Sequence, residues 1–95
     1  MLEFEWDDEK ARSNREKHGV SFEEAKAVFR DTDRLELIDD RIDYGEDRII
    51  AIGLGRTSVL TTVYVVRAER IRIISARTAS REERDEYQAS KTDNG

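Results

Sequence analysis

The 95-residue sequence has no cysteine, no proline and a single histidine. Without cysteine, disulfides cannot brace the fold and thiolate metal sites are excluded. One histidine makes a zinc site unexpected as well. No apolar run approaches the roughly 20 residues that cross a bilayer, and the first residues lack the basic-then-apolar profile of a signal peptide. We therefore expect no metal, no cofactor, no membrane contact and a cytoplasmic location.

Charge is abundant but unevenly placed along the chain. Charged residues make up 41% of the sequence, and the net charge is -5. Residues 1–46 hold 15 acids and 8 bases, whereas residues 67–84 hold six arginines against three glutamates. The acidic whole argues against strong non-specific binding to nucleic acid. The arginine cluster nevertheless suits fixed, forked contacts with phosphate or carboxylate.

The length predicts one domain with a thin core. We assign residues 1–89 to this domain and expect a flexible tail over residues 90–95. Alternating apolar and polar residues predict a short opening strand over 2–6. Further strands are predicted over 35–38, 48–53, 59–67 and 70–77. The short connections between the later strands, including a tight turn at Ala68-Glu69, imply an antiparallel meander.

Capping signals predict three helices. The first, over 8–18, has Ala11 as its only apolar residue, so it must lie over a sheet edge or line a cleft. The second, over 22–30, follows a capping box, and the third runs from Ser80 to about Ala89. The predicted class is α+β: a short N-terminal strand, two helices, an antiparallel meander and a C-terminal helix.

Two segments resemble ligand-binding motifs only superficially. The acidic loop over 39–47 lacks the glycine and the glutamate that an EF-hand requires. The Gly53-Leu54-Gly55 segment lacks the third glycine of a dinucleotide site, so we interpret residues 53–56 as a turn. No serine has the setting of a nucleophile elbow.

Two residues stand out as candidates for chemistry. His18 is the only imidazole, so it is either a general base or a cation that complements a helix end. Arg77 is predicted to share a strand face with Ile71 and Ile73. A charge there must pair with an acid or serve an anion, because an unpaired buried charge is costly.

Several segments, in this order and spacing, resemble the BrnT toxins of bacterial type II toxin–antitoxin systems. They span residues 4 to 87 and are Phe4-Glu5-Trp6-Asp7, Lys10, Asn14, the run 17–25, Phe29, Glu46-Asp47-Arg48, Ala51-Ile52-Gly53, the run 70–77, Ala79, Glu83-Arg84 and Tyr87. The resemblance implies a fold similar to the RelE ribonucleases. It also implies RNA cleavage that halts translation, and a BrnA-like antitoxin with a ribbon-helix-helix part. Operator DNA would be reached only through the toxin–antitoxin complex.

The implied chemistry is metal-independent, because RNA supplies its own nucleophile in the 2′-hydroxyl. The predicted catalytic residues are Arg77 for the developing phosphorane charge and Lys10 and His18 for proton transfer. The predicted RNA contacts are Arg72, Arg84 and Tyr87. The alternative is a non-enzymatic protein-interaction module, which explains the high charge and requires nothing of His18. The hypothesis of a DNA-binding domain has less support than either, because the chain has no basic recognition helix.

Overall fold

The computed structural model describes residues 2–39 and 45–94, so most of the predicted acidic loop lies outside the described residues. In chain order the elements are β1 (Phe4–Glu5), α1 (Asp8–His18), α2 (Phe22–Ala25) continued by a 3₁₀ segment (Lys26–Arg30), β2 (Leu35–Asp39), β3 (Arg48–Leu54), β4 (Val59–Arg67), β5 (Arg70–Thr78) and α3 (Arg81–Asn94). The predicted α+β class and order of elements are confirmed. In the described part of the chain, no helix is long and apolar enough to cross a membrane.

All five strands form one sheet in the order β1-β5-β4-β3-β2. Strands β2 to β5 pair as the predicted antiparallel meander. Strand β1 instead pairs in parallel with β5, through Phe4 opposite Ile71 and Glu5 opposite Arg72. The sheet is therefore mixed rather than purely antiparallel. Helices α1 and α2 and strands β2 to β4 separate β1 from β5 in the chain, and β5 runs in the same direction as β1.

Local hydrogen bonds fix the ends of α1 and α2. The Asp7 carboxylate accepts the backbone N–H groups of Glu9 and Lys10 at 2.9 and 3.0 Å and begins α1. Gly19 ends the helix with φ = 69°, a left-handed conformation that glycine adopts without strain. The predicted capping box at α2 is also present. Both helices thus begin at the residues predicted from the sequence, Asp8 and Phe22.

Some element bounds differ from the prediction. Strand β1 has two residues rather than five, and β3 continues through Leu54, so the turn that follows lies over residues 55–58. The Gly55 N–H donates to the Ser58 carbonyl across that turn at 2.8 Å. Helix α3 continues to Asn94, beyond the predicted end near Ala89. The tight turn after β4 is confirmed, with positive φ at both Ala68 and Glu69.

The two faces of the sheet are covered by different helices. We call the face under α1 and α2 the core face. Its cluster includes Phe22, Val28, Tyr64, Ile73 and Ala76. The opposite face carries a smaller cluster under α3, which consists of Ile52, Val59, Ala79 and Tyr87.

A β-bulge in β5 decides which residues reach each face. Tyr64 pairs with Ile73 and Val63 with Ser75, so Ile74 has no partner in β4. The extra residue shifts the alternation, and Ala76 joins the core face while Arg77 points to the other face. The prediction that Arg77 shares a face with Ile71 and Ile73 is therefore wrong.

The bulge also groups polar residues of β5. Arg70, Arg72, Ser75 and Arg77 pair with Arg67, Val65, Val63 and Thr61, which alternate along β4. All eight residues thus point away from the core face. We call this side of the sheet the arginine face.

Candidate active site

A shallow cleft of about 230 Å³ opens between α1 and β5 at the edge of the sheet. Its lining includes Lys10 and His18 from α1, and Ser75 from β5; the other lining residues are Ser13, Asn14, Lys17 and Ile74. Lys10 and His18 are eight residues apart, so they lie about two turns apart on one face of α1. The structure thus brings two of the three predicted catalytic residues into one cleft.

The cleft is cationic because of the residues that α1 contributes. Lys10 and Lys17 line the cleft together with His18, and no carboxylate is among the described residues that line it. The first turn of α1 carries Asp8 and Glu9, and basic residues predominate in its last turn, as the helix dipole favours. In residues 2–39 and 45–94, no group of three metal-ligating acid or imidazole side chains comes together.

Arg77 lies beside this cleft rather than in its lining. It follows Ser75 by two positions on the same face, which places the two Cα atoms roughly 7 Å apart. Its guanidinium donates to both Glu83 oxygens, at 2.7 and 2.9 Å, and to the Thr78 carbonyl at 3.4 Å. The Arg77 side chain remains 43% exposed. Arg77 is thus held by α3 and still accessible to solvent.

Glu83 is the residue that sequence reasoning missed. Hydrogen bonds from Arg77 are the main cause that lowers the pKa of Glu83 to about 2, with help from the Ser80 N–H and the Thr61 hydroxyl and against the effect of burial. The Ser80–Glu83 capping box, visible in the sequence, signals that Glu83 turns back toward the start of α3. No local pattern reveals that Arg77 lies within its reach.

Arg72 lies on the other side of Ser75 on the arginine face. It donates to Glu5 of the neighbouring strand at 2.9 Å, and 27% of its side chain is exposed. The pKa of Asp7 is lowered, chiefly by the Lys10 N–H and to a smaller extent by the charge of Arg72. Because Arg72 pairs with Glu5 across the two strands, it lies near the start of α1.

The two predicted RNA contacts on α3 differ in exposure. Arg84 is exposed, whereas Tyr87 is only 1% exposed. The Tyr87 hydroxyl donates a hydrogen bond to Asp31, which also accepts the Leu54 N–H at 2.8 Å. Burial and this contact raise the pKa of Tyr87. Its side chain thus anchors α3 to the sheet, and a lone aromatic residue on a polar helix is the sequence signal for that role.

The fold and the site together define a small α+β domain with a cationic cleft at one sheet edge. The family model for the ribonuclease toxin BrnT of type II toxin–antitoxin systems matches residues 6–83. The chain therefore belongs to the BrnT family of ribonuclease toxins, as the resemblance predicted. A comparison with curated proteins found no match. Membership in a type II family implies a protein antitoxin as partner.

Proposed function

We propose that the protein is a metal-independent endoribonuclease that cleaves RNA with the RNA's own 2′-hydroxyl and thereby inhibits translation. The observation that carries the proposal is the cleft that Lys10, His18 and Ser75 line together, with Arg72 and Arg77 on the same face of β5 as Ser75. A proton-transfer pair beside two guanidinium groups is what transesterification of a phosphodiester requires. Membership in a ribonuclease toxin family supports the same reaction class.

His18 and Lys10 are assigned the two proton transfers. One of them takes the proton of the 2′-hydroxyl as its oxygen bonds to phosphorus. The bond from phosphorus to the 5′-oxygen then breaks, and the other residue supplies a proton to that oxygen. The products are a 2′,3′-cyclic phosphate and a 5′-hydroxyl, so no water, metal or redox partner enters the cleavage step.

The arginines are assigned the charge that develops on phosphorus. Arg77 is oriented by Glu83 and its side chain is 43% exposed, so we assign its guanidinium charge to the phosphorane oxygens. Arg72 and the exposed Arg84 are proposed as contacts to the RNA backbone on either side. Tyr87 is buried, so we assign it the support of the helix that carries Arg84.

Purified protein incubated with RNA in excess chelator provides the direct test. We expect cleavage in chelator, products that end in 2′,3′-cyclic phosphate, and resistance of an RNA with one 2′-deoxy substitution at the mapped cleavage position. Cleavage that chelator abolishes and magnesium restores would overturn the proposed mechanism. Intact RNA together with normal growth on induction would favour the protein-interaction module instead.

We further propose that the antitoxin is a BrnA-like ribbon-helix-helix protein that covers the arginine region 67–84 and the cleft beside α1. The host must shield an RNA-cutting surface, and acidic or apolar side chains would complement these arginines. Operator DNA would then be bound only through the complex. Growth arrest on induction of the protein alone, relieved by the neighbouring gene, is the expected outcome.

Charge reversal distinguishes this surface from others. The double variant Arg77→Glu/Arg84→Glu should weaken both antitoxin binding and toxicity. Arg30→Glu is the matched control for the single reversal Arg84→Glu, because Arg30 is exposed at the end of the 3₁₀ segment and lies outside the arginine region. Undiminished antitoxin binding by the double variant would show that the antitoxin docks elsewhere.

A further inference from the structure

We infer that Asn14 is a positioning residue that sets the separation between α1 and β5, and with it the geometry of the cleft. The inference rests on the proposed function for its catalytic consequence. Asn14 is only 7% exposed although it lies on α1, whose single apolar residue is Ala11. A buried amide in such a helix needs hydrogen-bond partners, and here all of them come from outside the helix.

The Asn14 side chain makes three hydrogen bonds with backbone groups. Its amide nitrogen donates to the Ala76 carbonyl at 2.7 Å and to the Val20 carbonyl at 3.1 Å. Its amide oxygen accepts the Ala76 N–H at 3.1 Å. One side chain thus connects α1, the loop that follows it and strand β5, and it uses both ends of the amide.

At Ala76, the Asn14 side chain makes the hydrogen bonds that a longer strand β1 would make with β5. Strand β1 covers the outer edge of β5 only at Ile71 and Arg72. Farther along that edge, Asn14 presents one donor and one acceptor to Ala76, as a neighbouring strand would. The side chain thereby satisfies edge groups that would otherwise be buried without partners under α1.

Apolar packing alone does not hold α1 in this position. Ala11 is its only apolar residue, and it is partly buried against the core cluster. A helix with so little apolar surface gains little from burial. The three hydrogen bonds of Asn14, each to a buried and directional group, therefore determine where α1 lies along β5.

The position of Asn14 relates this contact to the proposed chemistry. Lys10 precedes Asn14 by four residues and His18 follows it by four, so all three lie on one face of α1. On β5, Ala76 lies between Ser75 and Arg77. A single contact thus fixes both proton-transfer candidates relative to the strand that carries Arg77.

Two substitutions disturb the contact in different ways. Asn14→Ala removes all three hydrogen bonds and leaves the Ala76 and Val20 groups without partners. Asn14→Gln retains the amide but lengthens the side chain by one methylene, so α1 must shift to keep the bonds. Misplacement of reacting groups by about 1 Å can lower a rate about 10²-fold.

Single-turnover cleavage at saturating protein provides the first test. We expect Asn14→Ala and Asn14→Gln to lower the rate constant by roughly 10- to 100-fold, with RNA binding changed much less. The matched control is Val28→Ala. Val28 lies in the 3₁₀ segment, is fully buried against the core face and does not line the cleft. Assays run well below the melting temperature of every variant. Equal rate constants for the Asn14 variants and Val28→Ala would overturn the inference.

Two further readouts do not depend on activity. If Asn14→Ala fails to fold, both readouts are taken on Asn14→Gln alone. Hydrogen exchange at the Ala76 N–H should accelerate far more in the Asn14 variant than in Val28→Ala, and the NMR signal of His18, the only imidazole, should shift only in the Asn14 variant. Unchanged exchange and an unchanged signal would contradict the inference. If the native protein cleaves no RNA, the proposed function fails while these two readouts still decide the role of Asn14.

Discussion

The two faces of the sheet contrast in what they bury and what they leave to solvent. On the core face, Ile73 of β5 is buried under Phe22 and Val28 of the helical segments, and each of the three is at most 1% exposed. The arginine face carries charged side chains of β5, and α3 packs on this side of the sheet through Tyr87. The same strand thus serves stability on one side and the proposed chemistry on the other, and the bulge at Ile74 lets it do both.

The arginine face also explains the uneven charge of the chain. Arg67, Arg70 and Arg72 pair with Glu46, Glu3 and Glu5, all from the acidic first half of the sequence; Arg77 pairs with Glu83. Exposed pairs of this kind contribute little to stability. The acids therefore hold the arginines in place and moderate their charge, whereas the core face supplies the free energy of folding.

The largest expected effect is on the core face. Phe22→Ala should lower the free energy of unfolding by about 3–5 kcal/mol, because the ring is fully buried and its removal leaves a cavity. Urea denaturation followed by circular dichroism measures the change. A loss below about 1 kcal/mol would show that the core face is not the main source of stability.

His18→Gln tests the cleft with little change in size. If His18 transfers a proton, cleavage should fall by about 10²–10⁴-fold while the melting curve hardly changes. If His18 only complements the end of α1, the substitution should cost less than about 1 kcal/mol of stability and leave cleavage intact. Cleavage rates and thermal melts of the same preparation separate the two cases.

Arg77→Lys tests the forked contact on the arginine face. Cleavage should fall by about 10²–10³-fold in a folded protein, because lysine keeps the charge but cannot bind phosphate or Glu83 through two parallel hydrogen bonds. The circular dichroism spectrum should match that of the native protein. Full activity in both Arg77→Lys and His18→Gln would remove this site from consideration.

Glu83→Gln sharpens the comparison through pH. Hydrogen bonds from Arg77 hold the pKa of Glu83 at about 2 in the folded protein, against 4.5 for the free side chain. Because the folded pKa is the lower one, the stabilisation is present above pH 4.5 and is lost as pH falls toward 2. The variant should be less stable than the native protein by about 1–2 kcal/mol at pH 7, because it loses the ion pair with Arg77. The loss is no larger because Arg77 is 43% exposed, and solvent weakens the pair.

Denaturation at several pH values measures the effect of Glu83→Gln. The difference between the native protein and the variant should narrow steadily between pH 5 and pH 2. A difference independent of pH would mean that the carboxylate charge contributes nothing to stability.

The smallest expected effect is that of Arg70→Ala. Arg70 is 55% exposed and pairs with an exposed Glu3 at the rim of the arginine face. Stability should change by no more than about 0.5 kcal/mol, as for most surface substitutions. A larger loss by urea denaturation would show that the rim pairs stabilise the sheet after all.

Local patterns predicted most of the fold. Helix α1 covers residues 8–18 as predicted, and the predicted turn at Ala68-Glu69 joins β4 and β5. These features depend on neighbours within a few residues, which a sequence displays directly. The parallel position of β1 escaped prediction because it depends on a partner more than sixty residues away.

The sequence by itself determined the elements, their order, the family and the presence of Lys10 and His18 on one helix face. Only the tertiary structure decided that Arg77 lies on the arginine face and is held by Glu83, because one unpaired residue in β5 reverses the alternation. It also decided that α1 lies against β5 through Asn14. Strand register and hydrogen bonds between distant residues arise only when the chain is folded, so no local pattern encodes them.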